Sequence, residues 1–251
     1  MKVIGVIPAR YGSSRFPGKP LADICGKPMI WWVYQQAQKA ERLDELYVAT
    51  DDSRIECVCK QFSIPAIMTS PEHPTAANRL WEVSQKIEGD FFVAINGDEP
   101  LINPQNINIA IPEKFDFKGI SGTNVICPIH DPAELIDPSN IKVVFNHNME
   151  ALYMSRAPIP FPSKTIKFAY YKHVGIIGYN RGMLAVYHDS TPGTFEKIEG
   201  IDTLRFIDYG KKLLFIKTDN GYSLSVDTLM DIEKVREIIS KHEKSAEGVK
   251  S

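Results

Sequence analysis

Arg10, Arg15 and Lys19 fall within one twelve-residue stretch, Ala9–Pro20, together with Gly12 and Gly18. Glycines let a backbone approach a ligand closely and point N–H groups at an anion. Arginine holds phosphate oxygens with a fork, and lysine holds them as a point charge. Two carboxylates complement these cations. Asp98 follows the apolar run Phe91–Ile95, and Asp227 follows Ser223-Leu224-Ser225-Val226. Carboxylates are hard ligands suited to Mg²⁺, which usually takes one or two of them plus substrate phosphates. The chemistry these types support is the handling of a nucleoside triphosphate between cations and a metal. It is not P-loop chemistry: five residues rather than four separate Gly12 from Gly18, and Pro20 stands where a Ser or Thr would reach magnesium. A G-x-G-x-x-G fingerprint is also missing. Plainer roles exist for each group: a solvated basic loop, a turn closed by Asp98 at Gly97, and an N-cap at Asp227.

These residues need elements to position them. Lys2–Pro8 is a short apolar run ended by proline and predicts a buried strand. Strands are also predicted at Leu46–Ala49, Ala66–Met68 and Phe91–Ile95. Helices are predicted at Met29–Ala40, from a Ser53 cap to Phe62, and at Ala76–Ile87. This alternation predicts an α/β fold, a three-layer Rossmann-like, mainly parallel sheet with right-handed crossovers. Ligands of such sheets bind at the carboxyl ends of the strands, where both loaded loops lie. The second half is less regular. Strands are expected at Gly119–Cys127, Ile141–Phe145, Tyr170–Tyr179 and Leu213–Lys217, and helices at Phe195–Tyr209 and Asp227–Ile239. The whole chain, 1–251, is expected to form one domain with a β-rich excursion at about residues 145–190.

Composition sets outer bounds. Among 251 residues, 29 Lys and Arg face 31 Asp and Glu, a formal net charge of −2. That argues against a nucleic-acid binder, which carries a basic excess, and leaves room for a small anionic ligand. No apolar run approaches the ~18 residues of a membrane-spanning helix, and the N-terminus lacks the pattern of a signal peptide. Cys25, Cys57, Cys59 and Cys127 show no zinc or redox spacing, so buried thiols in a reducing cytoplasm are expected. Trp31 and Trp32 are assigned to helix packing. His130, His147 and His188 are assigned to surface or loop positions.

Further motifs accompany the basic loop. Ile7–Leu21 reads IPARYGSSRFPGKPL, and Gly26–Ile30 reads GKPMI. ATDD stands at Ala49–Asp52, GDEP at Gly97–Pro100, and YMSR at Tyr153–Arg156. KHVGI follows at Lys172–Ile176, EKIE at Glu196–Glu199 and VDT at Val226–Thr228. In content and order this set resembles the CMP-KDO synthetases, the 3-deoxy-manno-octulosonate cytidylyltransferases of lipopolysaccharide assembly. The resemblance implies transfer of CMP from CTP to the anomeric hydroxyl of an acidic sugar, with Mg²⁺ and release of pyrophosphate. It implies that Pro8, Ala9, Arg10, Gly12, Ser13 and Lys19 meet the nucleotide, together with Thr75, Arg79 and Asp98. It implies that Asn96, Arg156, His173, Glu199 and Thr203 meet the acceptor, and that Asp98 and Asp227 hold the metal. Arg10, Lys19, Asp98 and Asp227 would carry catalysis. A cytoplasmic homodimer joined through the β-rich excursion is also implied, with no nucleic-acid partner and no membrane insertion.

The sequence departs from the family pattern around the ligand. Thr75-Ala76-Ala77-Asn78-Arg79 replaces Ser-Gly-Thr-Glu/Asp-Arg. Asn96 replaces Gln, Ile177 replaces an aromatic residue, and Asp202-Thr203 replaces Glu-Gln. Sites built on hydrogen bonds discriminate strongly by such groups. Three alternatives therefore stand beside KDO transfer. They are CMP transfer to a different carboxylated sugar or small phosphono- or phosphocarboxylate, a CTP-binding regulator without turnover, and transfer from another nucleotide.

Overall fold

The computed structural model describes residues 1–12, 16–113, 121–221 and 224–248. Strand β1 (Val3–Ala9) runs into the basic loop, which ends in a single 3₁₀ turn at Lys19–Leu21. A short hairpin of β2 (Asp23–Ile24) and β3 (Lys27–Pro28) leads to helix α1 (Met29–Ala37). Then come β4 (Glu45–Thr50), α2 (Ser53–Gln61), β5 (Ala66–Met68), α3 (Ala76–Lys86) and β6 (Phe91–Ile95). The second half contains α4 (Pro104–Ala110), β7 (Ser121–Pro128), α5 (Pro132–Ile136), β8 (Lys142–Phe145) and β9 (Ala151–Ser155). It continues through β10 (Tyr171–Asn180), α6 (Arg181–Asp189), α7 (Thr194–Glu199), α8 (Leu204–Asp208), β11 (Lys212–Lys217) and α9 (Leu229–Gly248).

The main sheet runs β11-β7-β10-β6-β1-β4-β5. Strands β6, β1, β4 and β5 are mutually parallel, β11 is parallel to β7, and β10 alone runs against its neighbours β6 and β7. The alternation of side chains along a strand divides the core in two. On β1, Val3 and Ile7 join Phe91 and Val93 of β6 beneath α1, α2 and α4. Ile4 and Val6 face the other way with Phe92 and Ala94, against Leu80 and Val83 of α3 and Leu184 of α6. Burial on both faces explains why these strands read as continuous apolar runs.

The structure corrects several sequence expectations. Asp52, not Ser53, caps α2, its carboxylate accepting from the Arg54 amide at 2.9 Å. The helix expected over Phe195–Tyr209 is two, because Gly200 adopts a left-handed φ of 62° and stops α7. Helices α4 and α5 are short and lack a long apolar stripe, so no helical period announced them, and α6, with Met183, Leu184 and Tyr187 on its buried face, is an addition to the expected elements. The excursion is narrower than expected. Only the β8–β9 hairpin and the segment up to residue 170 stand aside, since β10 lies inside the main sheet. Cys59 and Cys127 are buried, but Cys25 and Cys57 are exposed.

Phe92 is fully buried between the sheet and α3. Phe92→Ala should cost about 3–5 kcal/mol by leaving a cavity, measured as a lowered urea midpoint. A loss under about 1 kcal/mol would show that this face of the sheet is not the packed core described.

Candidate active site

A cavity of about 580 Å³ opens at the carboxyl ends of β1 and β6. Its walls include Pro8 and Ala9 at the end of β1 with Arg10 just beyond, Asn96, Gly97 and Asp98 after β6, and Ala76 and Arg79 of α3 with its cap Thr75. Lys19, Arg156, Gly200, Asp202 and Asp227 complete it from the remaining loops.

Asp98 and Asp227 are brought together by the backbone. The Val226 amide donates to the Asp98 carbonyl at 2.8 Å. Val226 itself is buried with Ile24, Met29, Ile232 and Val235, so the packing of α9 on the first hairpin sets this approach. Asp227 is not the helix cap. Thr228 and Asp231 cap α9 reciprocally: the Thr228 amide and hydroxyl donate to the Asp231 carboxylate, and the Asp231 amide donates to the Thr228 hydroxyl. The Lys19 ammonium lies between the two acidic side chains. It donates to Asp98 Oδ2 at 2.8 Å, to the Val226 carbonyl at 2.8 Å and to Asp227 Oδ1 at 3.3 Å. Asp98 Oδ1 is buried without a hydrogen-bond partner. Such an orphaned hard oxygen beside a second carboxylate fits a divalent cation. Among the described residues no group of three or more His, Cys, Asp and Glu side chains could hold an ion. Further ligands would have to come from substrate phosphates and water.

One side of the cavity is cationic. Arg10 is exposed at the cavity and makes no ion pair with the described residues. Arg79 is buried on the wall, bonded to Thr69 and paired with Asp51 at 3.3 Å. The Thr75 hydroxyl is used in capping α3, accepting from the Asn78 amide and donating to Asn78 Oδ1. Gly12 is exposed and does not line the cavity. Ser13 lies outside the described residues. His73, unremarked in the sequence, also lines the cavity and donates its Nε2–H to Glu82. Burial acts to raise the Glu82 pKa, but bonds from Lys86, the Ser70 amide and His73 outweigh it and hold it down at about 2.

On the opposite side, Arg156 is anchored by three carbonyls, those of Glu199, Pro138 and Gly200. No carboxylate among the described residues pairs with its guanidinium, so its charge faces the cavity uncompensated. Glu199 does not line the cavity. Its carboxylate accepts from the Ser155 hydroxyl at 2.7 Å and the Arg156 amide at 2.9 Å, tying β9 to α7. Thr203 is buried with its hydroxyl on the Met154 sulfur. Position 203 therefore presents no polar group to the cavity. Arg205 pairs with Glu196 in the interior, Nε to Oε2 at 2.7 Å, and joins α8 to α7 across Gly200. That buried pair holds Gly200 and Asp202 at the wall. Burial first, and the nearby Glu196 charge second, raise the Asp202 pKa.

His173, expected to meet the acceptor, is not on the cavity wall. Burial lowers its pKa to about 4, so the imidazole is neutral at pH 7. The Asn124 amide nitrogen donates to the Val125, Val174 and Ile176 carbonyls, which leaves Asn124 Oδ1 as the acceptor of His173 Nδ1–H at 2.8 Å. Asn124 was not foreseen, and Asp202 and Gly175 stood in the sequence only as a departure and a motif position, without a role. Gly175 has a signal in retrospect, a glycine inside the strand pattern of KHVGI. A Cβ there would collide with Asn96 Nδ2 and Glu99 Oε1, so glycine allows Asn96 to sit on the wall.

A twisted α/β sheet that gathers cations and a carboxylate pair at one edge defines a nucleotidyltransferase-type protein. The family model for cytidylyltransferases matches residues 4–213. A 3-deoxy-manno-octulosonate cytidylyltransferase of Escherichia coli is 40% identical over 240 residues, covering 96% of this chain and 97% of its own. An 8-amino-3,8-dideoxy-manno-octulosonate cytidylyltransferase of Shewanella baltica is 40% identical over 243 residues, covering 93% and 97%. The solved structure of a CMP:2-keto-3-deoxy-manno-octonic acid synthetase complexed with CTP superposes with a TM-score of 0.90 at 39% identity, covering 96% of this chain and all of that one. The chain belongs to the cytidylyltransferase family.

The His173 site predicts a pH dependence. A base whose folded pKa is depressed stabilises the fold fully above its unfolded pKa, near 6.5, and loses that contribution as pH falls through its folded value, about 4. Wild-type stability should therefore decline between these values, and His173→Gln should flatten the slope. An imidazole titrating near 6.5 by NMR would refute the buried neutral state.

Proposed function

We propose that this cytidylyltransferase transfers CMP from CTP to the anomeric hydroxyl of 3-deoxy-manno-octulosonate or a closely related ulosonic acid, releasing pyrophosphate. The observation that carries this reading is the continuous cavity from Arg10 to Arg156 past Asp98. Its volume of about 580 Å³ lies within the usual range of small-molecule sites. Arg10 and the N-terminus of α3 face the triphosphate, since cations and helix N-termini both favour anions. Arg156 faces the carboxylate of the acid. The acceptor oxygen forms a bond to the α-phosphorus, and the bond from that phosphorus to the pyrophosphate oxygen breaks. The hydroxyl proton is released.

Positioning and charge neutralisation carry such a displacement more than a protein nucleophile does. Asp98 and Asp227 are the residues that would hold Mg²⁺. When bound, the ion neutralises phosphate charge and orients oxygens. The neutral His173 restrains β10 without adding charge. The names of two relatives, one a plain and one an 8-amino octulosonate cytidylyltransferase, support an octulosonic acid here. Four free thiols, two of them exposed, suit a reducing compartment, and the cytoplasm is the proposed location. Among the described residues no helix is long and apolar enough to cross a membrane.

Pyrophosphate release with CTP should be assayed against both octulosonates, other sugar acids and phosphonocarboxylates, with UTP, GTP and ATP as nucleotide controls. Octulosonates with CTP should give the highest kcat/KM. Activity only with a different acid would overturn the acceptor, and CTP binding without turnover of any acid would leave a regulator. Asp98→Asn and Asp227→Asn should each lower kcat by roughly 10²-fold or more, as losing a charge-stabilising group does. Full activity in both would sink the metal assignment.

A homodimer is proposed through the segment around β9. Leu152, Phe161 and Ile166 are exposed there, with Ile198 on the neighbouring α7. Exposed apolar groups of this kind mark association surfaces. Leu152→Asp with Phe161→Asp should halve the mass seen by light scattering, and an unchanged dimer would remove this surface from consideration.

A further inference from the structure

Lys19 has a role that neither phosphate binding nor metal binding explains alone. All three N–H donors of its ammonium are used, one on each carboxylate and one on the Val226 carbonyl. Its side chain is only 13% exposed. The backbone around it is fixed: the Gly18 amide donates to the Tyr11 carbonyl and the Leu21 amide to the Gly18 carbonyl, both at 2.8 Å. Any displacement of the charge must therefore come from the flexible side chain, which a lysine stem permits.

A divalent ion needs the same oxygens. Magnesium binds oxygen at about 2.1 Å, whereas Lys19 holds Asp98 Oδ2 at 2.8 Å. Two cations cannot share one pair of carboxylates at such distances without strong repulsion. The ammonium also leaves Asp98 Oδ1 buried and unsatisfied, so the carboxylate pair is neutralised only in part. We propose that Lys19 is an exchangeable internal counter-ion, which closes the Asp98–Asp227 pair until nucleotide phosphates draw the ammonium away and open the pair to the metal. This deepens the metal-pair assignment and rests on it. Metal and nucleotide then favour each other, because each relieves the cost the other meets. Linkage makes that coupling reciprocal.

The test is Mn²⁺ binding to the nucleotide-free protein, read as loss of the free-ion signal in electron paramagnetic resonance. Lys19→Met should bind Mn²⁺ at least about tenfold more tightly than wild type, because a competing charge is gone. It should also lose affinity for CTP measured in EDTA. Lys19→Arg, which keeps the charge, should show no gain in Mn²⁺ binding. Equal or weaker Mn²⁺ binding by a folded Lys19→Met overturns the exchange. Asp98→Asn separates the two ideas. If it weakens Mn²⁺ binding while Lys19→Met gains nothing, the metal pair stands and the exchange falls. If Asp98→Asn changes Mn²⁺ binding in neither background, the metal pair is wrong and the exchange falls with it. A second measurement needs no substitution. In wild type, saturating Mg²⁺ should increase reductive methylation of Lys19, located by peptide mass, and unchanged labelling would overturn the proposal.

Discussion

The contact on which the site depends is the Lys19 ammonium between Asp98 and Asp227. Three separate pieces of chain meet there: the turn after β1, the loop after β6 and the approach to α9. Two carboxylates held side by side repel, and a cation between them offsets that repulsion. The backbone bond from Val226 to Asp98 fixes the spacing independently of charge. The geometry is therefore built by neutral packing and tuned by the charged groups, so those groups stay available for ligand chemistry. A site assembled only by ion pairs would be consumed by its own contacts.

Strand order explains how the cavity acquires two different ends. Parallel strands β5, β4, β1 and β6 put their loops on one edge, where Arg10, Asp98 and α3 gather. The antiparallel β10 then carries the β8–β9 hairpin to the far side, bringing Arg156 to the same edge. Arg156 keeps its charge because backbone carbonyls rather than carboxylates anchor it. Glu199 and the buried Glu196–Arg205 pair act behind the wall, fixing β9, α7 and α8 in relation to one another. Three of the five residues that the family pattern assigns to the acceptor, His173, Glu199 and Thr203, thus lie off the cavity wall.

The first half of the fold was legible because strands buried on both faces give unbroken apolar runs and their helices give regular stripes. The second half was less so. Gly200 breaks a helical period that otherwise continues, and the short helices α4 and α5 are held by tertiary contacts rather than by local pattern. At the site, motif content pointed to Arg10, Lys19, Asp98, Asp227 and Arg156, all of which line one cavity. It did not reveal that Thr203 turns its hydroxyl inward or that His173 is neutral. Both depend on which atoms happen to surround them after folding.

The sequence by itself determined the residue types, their order along the chain and the alternating pattern that produces a sheet with loaded loop ends. Those are properties of neighbours in sequence, where periodicity and steric preference act locally. The tertiary structure alone decided which of those charges meet. Lys19 and Asp227 are 208 positions apart, and their contact follows from the packing of α9 on the first hairpin. Burial, which sets the charge of His173 and leaves Asp98 Oδ1 unsatisfied, likewise exists only once distant segments close around a group. The chemistry was written in residue types, but the state of each group is a property of the folded surroundings.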